Sequence, residues 1–274
     1  MTTFADDTAV HADPLHPDEF TADIRRNFWI MLGPNGGYVA AMLLRAMTQR
    51  LDDGERTPRS LTVHYLDPPE EGEVRIRTRI ERQGRALSTV TARMVQHDRT
   101  VAIAMAAFSK PRRTNTIPPF NDLRMPEVPP PDELERRPFV DGMMPPMAGQ
   151  MAVWHALGAQ PLSGQQEPLT GGWFRLADPE PLTYEQLALL CDAWMPAVFN
   201  RMTTIGGAPT IDLTVHFREP IATDPPPSAD DVYLGVFGTN VGAEGFVEMD
   251  GEIWSSDGRL LAQTRQLQIA LLGG

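Results

Sequence analysis

Apolar and polar residues alternate along six stretches of this chain, the period of a strand that buries one face and wets the other. Glu73–Arg82, Ala86–His97 and Thr100–Ser109 carry the pattern in the first half; Val232–Asn240, Gly245–Ser255 and Leu260–Leu271 carry it in the second. Turn-forming residues lie between them: Gln83-Gly84 and His97-Asp98, then Gly242-Ala243-Glu244-Gly245 and Asp257-Gly258. Two stretches switch to helical spacing. Gly37–Leu51 follows Gly33-Pro34-Asn35-Gly36-Gly37, where Asn35 is placed to cap the helix. Tyr184–Phe199 puts Leu187, Leu190, Cys191, Trp194 and Val198 on one stripe. Thr183 and Gln186 have capping-box spacing at its start, and Pro196 should end or bend its last turn. Further strands are expected ahead of each helix, at Thr21–Met31, Gln150–Leu157 and Gly172–Leu176.

The two halves repeat one another. Ser60-Leu61-Thr62-Val63-His64-Tyr65-Leu66-Asp67-Pro68 returns 152 residues later as Asp212-Leu213-Thr214-Val215-His216-Phe217-Arg218-Glu219-Pro220, with Leu-Thr-Val-His identical in both. A helical segment precedes each copy and a proline loop with strand-like segments follows it, so the repeat is of a whole structural unit. Between the units, Pro111–Pro146 holds 10 of the chain's 26 prolines among many charges, the composition of a stiff surface connection. The expected organisation is an N-terminal tail (1–19), a first unit (20–110), a connection (111–147) and a second unit (148–274). Each unit is read as an antiparallel sheet curled around one helix, an α+β architecture, and two such units could join their sheet edges.

Composition removes several function classes. The 274 residues hold 24 Lys and Arg against 36 Asp and Glu, a net charge of −12 that disfavours nucleic acid as a partner. A single cysteine, Cys191, can form neither an internal disulfide nor a thiolate cluster, and the histidines lack metal-ligand spacing. Neither a secretory start nor a membrane-length apolar run is present, so a cytoplasmic protein without membrane insertion is expected. No Gly-x-Ser-x-Gly elbow occurs to supply a serine nucleophile.

Asn35-Gly36-Gly37-Tyr38-Val39, Ser60–Pro68, Thr183–Phe199, Pro209–Pro220 and Asp257–Gln268 together resemble the hotdog superfamily, specifically its double-hotdog acyl-CoA thioesterases of the thioesterase II type. The resemblance runs from about Phe20 to Leu271 and is weakest in the connection. It implies a tandem hotdog and hydrolysis of acyl-CoA without cofactor, by a water that an Asp, a Ser or Thr, and a Gln hold in the second unit. Those positions fall on Asp192, Thr210 and Gln266. It also implies oxyanion or substrate-binding amides at a helix start, for which Gly36 and Gly37 are the candidates, and a homo-oligomeric state.

The repeat itself points the same way. By its offset Thr210 corresponds to Pro58, and after the longer second loop Gln266 corresponds to Ala106, so polar groups occupy these places in one unit only. His64 and His216 repeat with the fold and are read as structural or solvent-facing; Cys191 is read as a core residue. Arg75, Arg77 and Arg79 share a strand face and offer either a phosphate-binding stripe or a solvated surface. Two rival functions remain: an enoyl-thioester hydratase or dehydratase, which would need an Asp/His pair, and a non-catalytic acyl-CoA-binding or sensing protein.

Overall fold

The computed structural model describes residues 2–31, 33–111, 116–167, 169–222 and 224–272. Helix α1 (Phe4–Asp7) and strands β1 (His11–Ala12) and β2 (Glu19–Ile24) lead to the long helix α2 (Gly36–Leu51). Strands β3 (Thr57–Tyr65), β4 (Gly72–Gln83), β5 (Leu87–Gln96) and β6 (Arg99–Ser109) complete the first half. After the connection come α3 (Pro146–Gly149), β7 (Met151–Gly158), β8 (Leu169–Leu176) and α4 (Tyr184–Leu190). The chain ends with β9 (Thr210–Phe217), β10 (Tyr233–Gly238), β11 (Gly242–Ala243), β12 (Phe246–Ser255) and β13 (Leu260–Ile269).

These strands form one antiparallel sheet in the order β1-β2-β4-β5-β6-β3-β9-β13-β12-β10-β8-β7, with β11 hanging off β12. The order is a mirror: outward from the centre the first half runs β3, β6, β5, β4 and the second β9, β13, β12, β10. The repeated strands β3 and β9 are the two that meet, with Thr62 opposite Thr214, Leu61 opposite Val215 and Ser60 opposite His216. Thr62 and Thr214 occupy the same place in the repeat and their hydroxyls lie 3.1 Å apart, so a local two-fold axis passes between them. This pairing removes the edge that either half would otherwise expose.

The inner face of the sheet packs on the helices. Helix α2 is buried along most of its length, touches β3, β4, β5 and β6, and lies against α4. A smaller apolar cluster on the other face, Trp173, Leu234, Trp254 and Leu260, is covered by Met125, Val128 and Leu134 of the connection. Trp173 donates its indole N–H to the Pro129 carbonyl at 2.8 Å, which fixes this strap to the sheet. Residues 112–115 of the connection lie outside the described residues.

Several expectations change. Helix α4 stops at Leu190 instead of running to Phe199, and a 3-10 turn covers Ala197–Arg201. Pro196 withholds its amide and forces Met195 toward extended backbone, so the chain leaves the helix before both. Thr183 caps α4 by accepting from the Gln186 amide at 3.2 Å, but the Gln186 side-chain oxygen takes no return bond from the Thr183 amide, so the box is half made. The strand expected over Thr21–Met31 ends at Ile24 and gives way to a 3-10 turn at Arg26–Phe28. The segment expected as a tail is built into the fold: Phe4 is buried, and the Asp7 carboxylate accepts from Arg25 at 2.9 Å and Asn27 at 2.8 Å. No helix among the described residues is long and apolar enough to cross a membrane.

Candidate active site

Helix α2 begins at the abrupt end of α4. Asn35 caps α2 with its side-chain oxygen, which accepts from the Tyr38 amide at 3.1 Å. Its amide nitrogen donates to Asp192 twice, to Oδ2 at 2.9 Å and to the backbone carbonyl at 3.0 Å. The Gly37 amide donates to the same Oδ2 at 2.8 Å. A carboxylate therefore sits where the free amides and dipole of a helix start favour negative charge. Side chains would not fit there. A Cβ on Gly36 would stand 3.0 Å from Asp192 Oδ2, and one on Gly37 would stand 2.8 Å from the Leu189 carbonyl oxygen.

On the opposite side lies an inward-facing polar row from β9 and β13. Gln266 is 1 % exposed and donates through Nε2 to the Cys191 carbonyl at 3.2 Å. Its Oε1 accepts from Thr210 Oγ1 at 3.0 Å and from Gln268 Nε2 at 3.1 Å. A bulge aims Thr210. The ladder passes from Leu267 opposite Asp212 to Gln268 opposite Thr210, leaving Ile211 as an extra residue that turns Thr210 toward Gln266. In an unbulged ladder Ile211 would face Gln268 and Thr210 would point to the outer face.

Burial pushes the Asp192 carboxyl up to about 6, against the opposing pull of hydrogen bonds from the Gly37 amide, the Gln266 side chain, Asn35 and the Gly36 amide. Tyr65, at the end of β3, donates to the Gly36 carbonyl at 2.7 Å. Burial, then the carboxylates of Asp192 and Asp212, hold its hydroxyl in the protonated form.

The structure thus brings Asp192, Thr210 and Gln266 into one cluster, with Gly36 and Gly37 against it. The glycines take a different place from the one expected. The Gly37 amide donates to the Asp192 carboxylate, so it is committed to that anion and not to a substrate oxygen. Asn35, Tyr65 and Gln268 belong to the cluster and were not anticipated there; Asn35 was legible only as a helix cap. His64 and His216 are exposed on the outer sheet face, away from the cluster. Arg75 and Arg77 flank Glu19, at 3.7 and 2.9 Å, and Arg79 faces Glu81 at 3.5 Å, as expected of a solvated surface. Cys191 is buried, and desolvation raises its thiol far above the ordinary range, which suits a core role.

A hotdog protein is what this sheet and its enclosed helices define, and comparison with solved structures agrees. A conserved protein of unknown function with a hotdog fold from Alicyclobacillus acidocaldarius superposes with a TM-score of 0.86 at 28% identity, covering 100% of both chains. An acyl-CoA thioesterase II from Mycobacterium marinum superposes with a TM-score of 0.76 at 19% identity, covering 99% of both chains, a likeness of fold. No curated protein matches the chain in sequence. Two family models do: the acyl-CoA thioesterase N-terminal domain over residues 26–109 and the acyl-CoA thioesterase C-terminal domain over residues 126–270. The chain belongs to the acyl-CoA thioesterase family.

Proposed function

We propose that the two halves are tandem hotdog units, spanning about 20–110 and 148–274, and that the chain hydrolyses acyl-CoA with a water held by Asp192 and Thr210 while Gln266 orders both. The observation that carries this reading is the commitment of the Thr210 proton. Gln266 Nε2 faces the Cys191 carbonyl, which can only accept, so Oε1 must face Thr210 and take its hydroxyl proton. Thr210 is then left with lone pairs toward the open side of the site. A water there donates one hydrogen to Thr210 Oγ1 and the other to the Asp192 carboxylate, which leaves its own lone pair free to attack. Thr210 is therefore an acceptor for the water.

Attack on the thioester carbonyl carbon forms the new C–O bond as the water proton passes to Asp192. The tetrahedral intermediate collapses with C–S cleavage, and the same proton passes to the departing sulfur, giving free acid and coenzyme A. A carboxyl held near 6 serves both steps, because it is ionised at neutral pH yet close enough to return the proton. A residue from the second half does the chemistry on a seat that the first half supplies through Asn35, Gly36 and Gly37.

Thiol release from a panel of acyl-CoAs of different chain length tests the reading. The wild type should release coenzyme A, and Asp192→Asn should be slower by about 10²–10⁴-fold. Full activity in the variant would remove Asp192 from the chemistry; binding without turnover across the panel would favour an acyl-CoA sensor.

A further inference from the structure

The ladder registers allow a residue-by-residue comparison of the two halves at the place where the candidate site lies. In the first half Pro58 faces Phe108 across a bulge at Arg59, and Leu61 faces Ala106. In the second half Thr210 faces Gln268 across a bulge at Ile211, and Leu213 faces Gln266. The bulge is thus part of the repeat, and the row Pro58, Ala106, Phe108 is the sister of the row Thr210, Gln266, Gln268. The last pair is the informative one. Phe108 is fully buried, so the fold accepts a large apolar side chain at this position. Its counterpart Gln268 is equally enclosed, at 1 % exposed, and is a glutamine whose Oε1 has no partner. An enclosed acceptor left unmet lowers stability, and an apolar residue would avoid the loss. The polar choice at Gln268 is therefore one that packing alone does not call for, and residues that break local rules without a packing reason are those expected to serve function.

We propose that Gln268 is a positioning residue of the hydrolytic site, holding the Gln266 amide in the single orientation that commits the Thr210 proton. The inference rests on the reading of Asp192 and Thr210 given above. Gln266 Oε1 accepts from two donors, Thr210 Oγ1 and Gln268 Nε2. With both as they stand, rotation of the Gln266 amide would set its NH₂ group against two donors at once, and relief would need Thr210 and Gln268 to turn with it. With Thr210 alone, the hydroxyl could turn and accept instead, and only the Cys191 carbonyl would then oppose a flip of the amide. In the flipped state Thr210 presents its proton to the water, competes with the water's own hydrogens and spoils the aim of the lone pair. Gln268 thereby acts on the water through two intervening groups and touches neither water nor substrate.

Gln268→Met keeps size and removes the donor; Gln268→Glu keeps a donor only while its carboxyl is protonated. The expected result for Gln268→Met is a kcat about tenfold lower, KM within about twofold, and a Tm equal to or above the wild type. The activity of Gln268→Glu divided by that of Gln268→Met should climb as pH falls, because only the neutral acid donates to Gln266 Oε1. Asp192 titrates in both variants, so the ratio removes the part of that titration they share. Wild-type kcat in Gln268→Met beside a disabled Asp192→Asn would overturn this proposal and leave the base assignment standing. A kcat loss with a lowered Tm and a ratio flat in pH would overturn it as well, since packing would then account for the loss. An active Asp192→Asn would instead remove the reading on which it rests.

Discussion

Asp192 is an acid made weaker by its surroundings, and the sign of that shift governs its effect on stability as well as on rate. Its carboxyl titrates at about 6 in the folded protein, against an ordinary value of 3.8. Between those values the native state binds the proton and the unfolded chain does not, so stability falls as pH rises through this window and the cost of the buried charge is complete above about 6. Asp192→Asn removes that cost. It should unfold at higher denaturant than the wild type near pH 8, by up to ~3 kcal/mol, and show no such gain near pH 4. An equal gain at both pH values would mean that charge is not its source. With Asp192 as the proposed base, wild-type kcat/KM should fall on the acid side with an apparent pKa of about 6.

Helix α2 and helix α4 meet end against end, and glycine makes that meeting close enough for an amide to reach a carboxylate. A methyl group on Gly37 would stand 2.8 Å from the Leu189 carbonyl oxygen and 2.9 Å from Leu189 Cα, both of them backbone atoms that cannot swing aside. Gly37→Ala should therefore cost about 1–3 kcal/mol in chemical denaturation, despite alanine's better helix propensity, and should lower activity by moving the seat of Asp192. A more stable Gly37→Ala would show that the two helices have room to part. The early end of α4 belongs to the same scale. Read as a helix to Phe199, the segment would set Asp192 near Glu185 on a wet face; ending at Leu190, it turns Asp192 onto Asn35 and Gly37.

Across the whole molecule the candidate site is divided between halves that the β3–β9 ladder and the α2–α4 contact hold together. Asn35, Gly37 and Tyr65 come from one half, Asp192, Thr210 and Gln266 from the other. Residues 1–111 and 116–274 expressed as separate chains should each expose a central strand edge and associate or aggregate in size-exclusion chromatography. Mixed after co-expression, they should recover thioester hydrolysis; turnover by either fragment alone would refute the divided site. The strap over Trp173 and Trp254 joins the halves on the opposite face and leaves the cluster untouched.

Much of this plan was legible in the sequence. The duplicated Leu-Thr-Val-His strands, the Asn35 cap, the turn residues and the polar residues present in one unit but not its sister are local facts of order and residue type, and local propensity and period reveal them. What only tertiary structure decided are facts about partners. The bulge at Ile211 turns Thr210 inward, the Cys191 carbonyl opposes a flip of the Gln266 amide, and the Gly37 amide meets Asp192 instead of a ligand. Gln268 looked like any strand glutamine until its register against Thr210, and that of Phe108 against Pro58, set it beside the cluster. The physical reason is range. A residue's backbone preference is set by its neighbours in sequence, whereas the partner that takes its hydrogen bond is chosen by whatever the rest of the chain packs against it.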